Sequence, residues 1–360
     1  MECRYIRNWQ EVTTPGIYIT NYEMAENMRV IDWFGVVLDE SSILKGQTSK
    51  YRKMLTEMCI DIPYRLSCTA TPSPNDFMEL GTQSEWLGNM TQSEMLAMFF
   101  IHDGGETQKW RLKGHAKSKF WEWMSTWSIL INQPGDLGYD EDGYDLPKLN
   151  YHHHVVETSP TDSLFVDIAI GLNDQRKAKR ATMAERVQMA SDIVNNSSEQ
   201  WIVWCELNDE SKLLKECILN SVEVKGSDKT DHKEKSIIGF IDGDIEKIVT
   251  KPSIYGFGMN LQNCCNMMFV GLSNSFEKYY QAIRRCWRFG QTMPVNVHIV
   301  SADSEGSIVD NIKRKQMQHD DMSIKMISHM SGFTLSQLDG YRETSDYYNP
   351  QENIQLPNFL

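Results

Sequence analysis

Asp39 and Glu40 close the apolar run "FGVVLDES" (34–41), and two adjacent carboxylates at a strand end can do metal and acid–base chemistry. An Asp in that place can hold a magnesium ion, usually through water, and a Glu beside it can activate an attacking water. Neighbouring side chains on a strand point to opposite faces, but the backbone turns where the strand ends and both can reach one site. Alone, such a pair more often ends a strand in a solvated turn. A second stretch, "LSCTATP" (66–72), delivers Thr69, Ala70 and Thr71 into a Pro-broken turn. Hydroxyls there can hydrogen-bond the carboxylates of a neighbouring strand and sense a γ-phosphate; an ordinary Thr-rich strand end reads the same way.

Two later stretches are more specific. "SIYGFGMNLQNC" (253–264) sets Gly256 and Gly258 around an aromatic, followed by Asn260 and Gln262. Glycines let a backbone approach a phosphate or a neighbouring domain closely. "QAIRRCWRFGQ" (281–291) sets Arg285 and Arg288 one helical turn apart on one face, with Gln281 a further turn back. Arginines on a helix at a domain interface can enter a nucleotide site opposite and stabilise charge on the transferring phosphoryl group. The bland alternative is a surface Arg cluster behind an ordinary turn.

The elements that must position these residues read as layers of strand and helix. "GIYIT" (16–20), "FGVVLD" (34–39), "YRLSCTA" (64–70), "QWIVWCE" (200–206), "NMMFVGL" (266–272) and "VNVHIVS" (295–301) are short apolar runs without strict alternation. That pattern fits parallel strands covered by helices on both faces. Helical patterns lie between them, such as "SKYRKMLTEM" (49–58), "DESKLLKECIL" (209–219) and "SFEKYYQAIRRCWRF" (275–289). The expected fold class is α/β with parallel sheets. Residues 104–160 read as a helical, Gly/Asp/Pro-rich connector between a first sheet domain at 1–103 and a second at 161–335, with a polar tail at 336–360.

With 360 residues, 41% hydrophobic and 24% charged, the chain has the composition of a globular protein of two domains. No apolar run approaches the ~20 residues that span a bilayer, and "MLAMFFI" (95–101) fits a buried helix. The start "MECRYIRNWQE" lacks a signal peptide's apolar core, so a cytoplasmic protein is expected. Eight cysteines without CxxC spacing suit reduced thiols rather than a disulfide frame. The net charge of −13 opposes a protein that coats nucleic acid, yet basic residues cluster in "KWRLKGHAKSK" (109–119), "QRKAKR" (175–180) and "RRCWR" (284–288). A groove binder needs only a local positive surface.

"ITNYE" (19–23), "VVLDES" (36–41), "LSCTATP" (66–72), "WIVWCELNDE" (201–210), "YGFGMNLQNC" (255–264) and "QAIRRCWRFGQ" (281–291) resemble, in this order, successive motifs of superfamily-2 helicases. The ending "RRCWRFGQ" looks like the Swi/Snf-type branch, especially helicases of bacteriophages, which implies a host-cell cytoplasm for a viral protein. The resemblance covers about 15–330, the connector included. It implies two RecA-like parallel-sheet lobes, the first incomplete at its N-terminus, with ATP and Mg2+ between them and double-stranded or forked DNA as partner. Carried over position by position, Asp39 ligates Mg2+ and Glu40 activates water. Thr69, Ala70 and Thr71 couple the lobes. Gly256, Gly258, Asn260 and Gln281 line the cleft from the second lobe, Arg285 and Arg288 are the arginine fingers, and Tyr22, Lys113 and Asn260 contact DNA.

One motif of that family is missing: nothing in the 360 residues reads GxxxxGK[ST]. Before Asp39 the only glycines are Gly16 and Gly35, neither followed by Lys. That loop's N–H groups and Lys supply most of the phosphate binding. The expectation is therefore little or no ATP hydrolysis by this chain alone, with an exposed sheet edge beside "FGVVLDE", and either a separate polypeptide supplying the loop or a truncated reading frame. The alternative is a non-enzymatic DNA-binding remnant of a helicase. A metal site at "YHHHVVE" (151–157) is disfavoured, since consecutive strand residues face opposite ways.

Overall fold

Apolar runs become strands and the amphipathic stretches between them become helices in a computed structural model of the chain. It describes residues 3–29, 31–46, 49–102, 110–157, 179–256 and 258–345, with side chains described as far as Met330. The chain divides into two compact units, Met1–Tyr139 with His319–Leu360, and Asp140–Gln318.

In the first unit β1 (Cys3–Tyr5) and β2 (Ile17–Ile19) pair in parallel. A second parallel pair joins β3 (Gly35–Leu38) to β4 (Tyr64–Ser67) through helix α1 (Lys50–Cys59), with Leu38 opposite Ser67. Strand alternation sends Val36 and Leu38 into a core with Leu44, Met54, Leu55, Cys59 and Trp86. The same alternation sends Val37, Tyr64 and Leu66 outward, 63%, 62% and 55% exposed, and Phe34 stacks near Tyr64 with ring centroids 4.8 Å apart. Among the described residues this pair is covered on one face only.

Helix α2 (Leu80–Leu87) stops at Gly88, whose φ of +82° suits glycine, and α3 (Gln92–Phe99) starts at a capping box between Thr91 and Glu94. The run "MLAMFFI" is not one helix: α3 ends at Phe99 and the chain continues as β5 (Phe100–His102), antiparallel to β6 (Trp110–Leu112). Helix α4 (Lys117–Ser125) buries Phe120, Trp121 and Met124 against Phe99, Met322, Met326 and Met330.

The second unit is built on a six-stranded sheet. Its strands are β7 (Leu149–Val156), β8 (Trp201–Cys205), β9 (Ser221–Glu223), β10 (Lys247–Thr250), β11 (Asn266–Val270) and β12 (Val295–Ala302). They run parallel in the order β9-β10-β8-β11-β12-β7. The helices are α5 (Met183–Asn195), α6 (Asn208–Cys217), α7 (Thr230–Asp242), α8 (Pro252–Tyr255), α9 (Phe276–Cys286) and the start of α10 (Gly306–Ser345), which from His319 onward belongs to the first unit. Alternate strand residues enter two cores: Ile202, Trp204, Met267 and Phe269 meet Phe240 and Ile283, while Val203, Met268 and Val270 meet Val187, Ala190 and Leu214. This explains the absence of alternation in the strand sequences, because both faces are dry and each buried aliphatic side chain is worth about 1.5–3 kcal/mol. The α/β fold with a parallel sheet is as expected. Strand β7 comes from the stretch read as connector, and its "HHH" places His152 and His154 on one face.

Candidate functional site

The first unit brings the acid pair and the threonine turn together. Asp39 follows β3 with its carboxylate exposed, and its Oδ1 accepts the Glu40 N–H at 3.0 Å. Glu40 is left-handed, φ 49° and ψ 48°, a conformation costing an L-residue about 1–2 kcal/mol. Pairing of the strand ends continues past the ladder: Cys68 N–H donates to the Leu38 carbonyl at 2.8 Å and Ser41 N–H to the Cys68 carbonyl at 2.9 Å. The Thr69 hydroxyl accepts the Thr71 N–H at 3.1 Å and so shapes its own turn, while Ala70 is exposed. Thr71 is fully buried, its hydroxyl without a partner among the described residues.

Tyr22 meets the same turn. Its hydroxyl donates to the Asp39 carbonyl at 2.5 Å, and burial, followed by the nearby Asp39 and Glu40 charges, raises its pKa well above the usual phenol value. On the other side the buried Gln83 amide donates to the Ser41 carbonyl at 2.8 Å, a contact the sequence reading missed. Lys113 lies elsewhere in the unit. Its ammonium donates to the carbonyls of Ala97 and Met98 at 2.9 and 3.0 Å and so caps the C-terminal end of α3.

The second unit ties the glycine loop to the arginine helix. Leu261 N–H donates to the Arg285 carbonyl at 2.9 Å, Arg285 Nη1 to the Met259 carbonyl at 3.3 Å, and Arg288 Nη1 to Asn260 Oδ1. Arg285 Nε also donates to the carbonyl of the buried Gln281 at 3.1 Å, the bond expected one helical turn back. Gly256 has no room for a side chain, since a Cβ would lie 2.1 Å from the Pro252 carbonyl oxygen. Gly258 has φ +72°. The aromatic between them, residue 257, lies outside the described residues. Buried Gln291, which the sequence reading did not single out, locks the assembly through the carbonyls of Gln262, Cys264 and Cys286 at 3.0, 3.1 and 3.3 Å.

Strands β8 and β11 are neighbours, and the connection after β8 runs to β9 on one side while that after β11 runs to β12 on the other; in open α/β sheets ligands bind at the carboxyl ends beside such a switch. A shallow cleft opens there, lined by Glu206 after β8, Lys251 and Ser253 after β10, Ser273 after β11 and Lys278 of α9. Behind it Lys179, buried, bonds Glu206 and the Leu272 carbonyl, so this member of the basic stretch at 175–180 is no solvated face; residues 175–178 lie outside the described residues. Arg186 is fully buried between Glu210 at 2.8 Å and Glu305 at 3.3 Å, and burial raises the Glu210 pKa against the pull of that guanidinium.

On the sheet face bearing β7, His298 stacks on His152 with centroids 4.4 Å apart, and its Nδ1 lies 3.1 Å from His154 Nε2. Burial and the two neighbouring imidazoles push the His298 pKa down to about 4. No group of three or more His, Cys, Asp or Glu able to hold a metal occurs among the described residues. Nor is any helix among them long and apolar enough to cross a membrane.

Residues 185–290, which run from α5 through the glycine loop and α9, match the family described as the helicase conserved C-terminal domain. The parallel six-stranded α/β unit, with helices on both faces, is consistent with a RecA-like lobe of helicase C-terminal type. Among solved structures the chain is similar to the C-terminal part of the Fun30 ATPase domain, at 17% identity over 43% of this chain and with a TM-score of 0.32. It spans 57% of that structure's length. No curated protein matches the chain.

Proposed function

We propose that the chain is the later portion of an ATP-dependent DNA helicase or double-stranded DNA translocase of the Swi/Snf-like, bacteriophage-related type, and that it hydrolyses ATP only when another polypeptide supplies the phosphate-binding loop. The observation that carries this is the bonding of the glycine loop to Arg285 and Arg288 within the matched 185–290 stretch. In this reading Gly256, Gly258, Asn260 and Gln281 shape the second-lobe wall of the nucleotide cleft. Arg285 and Arg288 meet the charge that develops on the transferring phosphoryl group.

The donor set after β3 suits magnesium, which is commonly bound through one or two carboxylates plus waters and substrate phosphates. Asp39 offers an exposed carboxylate whose rotamer is fixed by the Glu40 N–H. Bound there, the ion would neutralise phosphate charge, while Glu40 accepts a proton from water. Thr69, Ala70 and Thr71 couple this turn to the second lobe. DNA phosphates would meet Asn260 and the cleft lysines Lys251 and Lys278, with Lys113 free to join them only by leaving the end of α3.

The test is steady-state ATP turnover by the full chain, with and without DNA, alone and with a polypeptide carrying a GK[ST] loop. Turnover that needs both the added polypeptide and DNA, and that is lost in Arg288→Ala, supports the proposal. A second reading is a DNA-binding remnant without motor activity, supported by the outward apolar side chains of β3 and β4. It requires DNA binding with no turnover under any of these conditions and no effect of Arg288→Ala.

A further inference from the structure

The turn that carries the acid pair is held by two side chains that belong to neither strand of its sheet. Tyr22 comes from the short 3-10 helix Tyr22–Met28 and Gln83 from α2. Each donates to a backbone carbonyl flanking the left-handed Glu40: Tyr22 to Asp39 at 2.5 Å and Gln83 to Ser41 at 2.8 Å. A left-handed non-glycine residue persists only where its surroundings over-determine it. Here the carbonyl before Glu40 and the carbonyl after it are both pinned, while the Ser41 N–H is pinned to Cys68.

The bonds are also costly choices for the chain. Gln83 is 3% exposed and its Oε1 has no partner among the described residues, so a polar amide is buried for the bond its nitrogen makes. An apolar side chain would fill that space without burying an amide oxygen, but it would take the donor from the Ser41 carbonyl. Tyr22 is half-buried, and its hydroxyl has one proton, which it donates to the Asp39 carbonyl. That proton is then not offered to a DNA phosphate.

We propose that Tyr22 and Gln83 are positioning residues for the acid pair: they fix the backbone on both sides of Glu40 so that the Asp39 carboxylate stands ready for a divalent cation. The proposal rests on the reading above that Asp39 is the metal carboxylate, and it assigns to Tyr22 a role other than contact with DNA. Neither side chain reaches the ion; both act through the backbone geometry.

The test uses Mn2+ as the probe, titrated into the 15N-labelled full chain and read as saturable paramagnetic broadening of the Glu40 and Ser41 amide signals. Tyr22→Phe removes only the hydroxyl, and Gln83→Met keeps the volume while removing the donor. Each should weaken apparent Mn2+ affinity by roughly 3- to 10-fold, the value of one well-placed hydrogen bond, with the amide spectrum elsewhere unchanged. Because the two variants perturb different elements, one that fails to fold leaves the other decisive. Asp39→Asn serves as the control and should abolish the broadening. Broadening abolished by Asp39→Asn but unaltered in both other variants overturns the positioning role alone. No saturable broadening in the unmodified chain overturns the metal reading and, with it, the role assigned to Tyr22 and Gln83.

Discussion

The guanidinium of Arg288 donates to the side-chain oxygen of Asn260, so the turn after α9 and the exposed tip of the glycine loop hold one another; α9 ends at Cys286, so Arg288 follows the helix and does not share its face with Arg285 as the spacing predicts. Arg288→Ala removes the cation, whereas Asn260→Ala only releases it. With a loop-bearing polypeptide present, Arg288→Ala should lower kcat for ATP by about a thousandfold or more, the scale of an arginine finger. Asn260→Ala should cost distinctly less. Steady-state turnover of the two variants side by side gives the ratio.

The two loop glycines answer different constraints, and alanine separates them. At Gly258 the added methyl meets open space, so Gly258→Ala costs only backbone strain, about 1 kcal/mol. At Gly256 the methyl would sit 2.1 Å from a backbone oxygen that cannot move without unwinding α8. Gly256→Ala should therefore lower the thermal midpoint several degrees more than Gly258→Ala, as followed by circular dichroism.

Arg186 is a fully buried cation between two buried carboxylates. Its removal strands Glu210 and Glu305 in a dry environment, so Arg186→Ala should destabilise the second unit by about 3–5 kcal/mol. Urea unfolding monitored at the buried Trp201 and Trp204 reports it.

The pKa of His298 lies near 4 in the folded chain, below the ordinary imidazole value, so between those values the unfolded chain binds more protons. Stability conferred by the neutral ring is fully present above the unfolded value and is lost as pH falls toward 4. His154 shifts in the same direction through burial and His152. Replacing His298 with Asn should flatten the decline of the melting temperature between about pH 6.5 and 4.

Lys251 and Lys278 face the cleft at the carboxyl ends of the sheet. If each neutralises one phosphate, alanine at either should reduce the slope of log affinity against log salt by about 0.9 for duplex DNA. Fluorescence anisotropy across a salt series measures this, and an unchanged slope in both variants removes the cleft from the DNA path.

The end of β3 was legible in the sequence because it is marked by an abrupt change from apolar to polar at Leu38–Asp39. The central strands β8, β11 and β12 were legible for the same reason. Strand β7 was not, since an edge strand reading "YHHHVV" has polar side chains on positions that a helix does not cover. The short β9 and β10 were lost between helices. Gln83 and Gln291 carried no local signal: each acts on a backbone carbonyl far away in sequence, and that pairing exists only once the chain has folded.

Glu40 gives the acid turn a consequence for how this sequence can drift. Glycine at that position would relax the left-handed backbone and raise the melting temperature, yet it would delete the carboxylate. A lineage that had stopped using the acid would gain stability by that single exchange, so the strained glutamate makes thermal tolerance and chemistry competing traits at one codon.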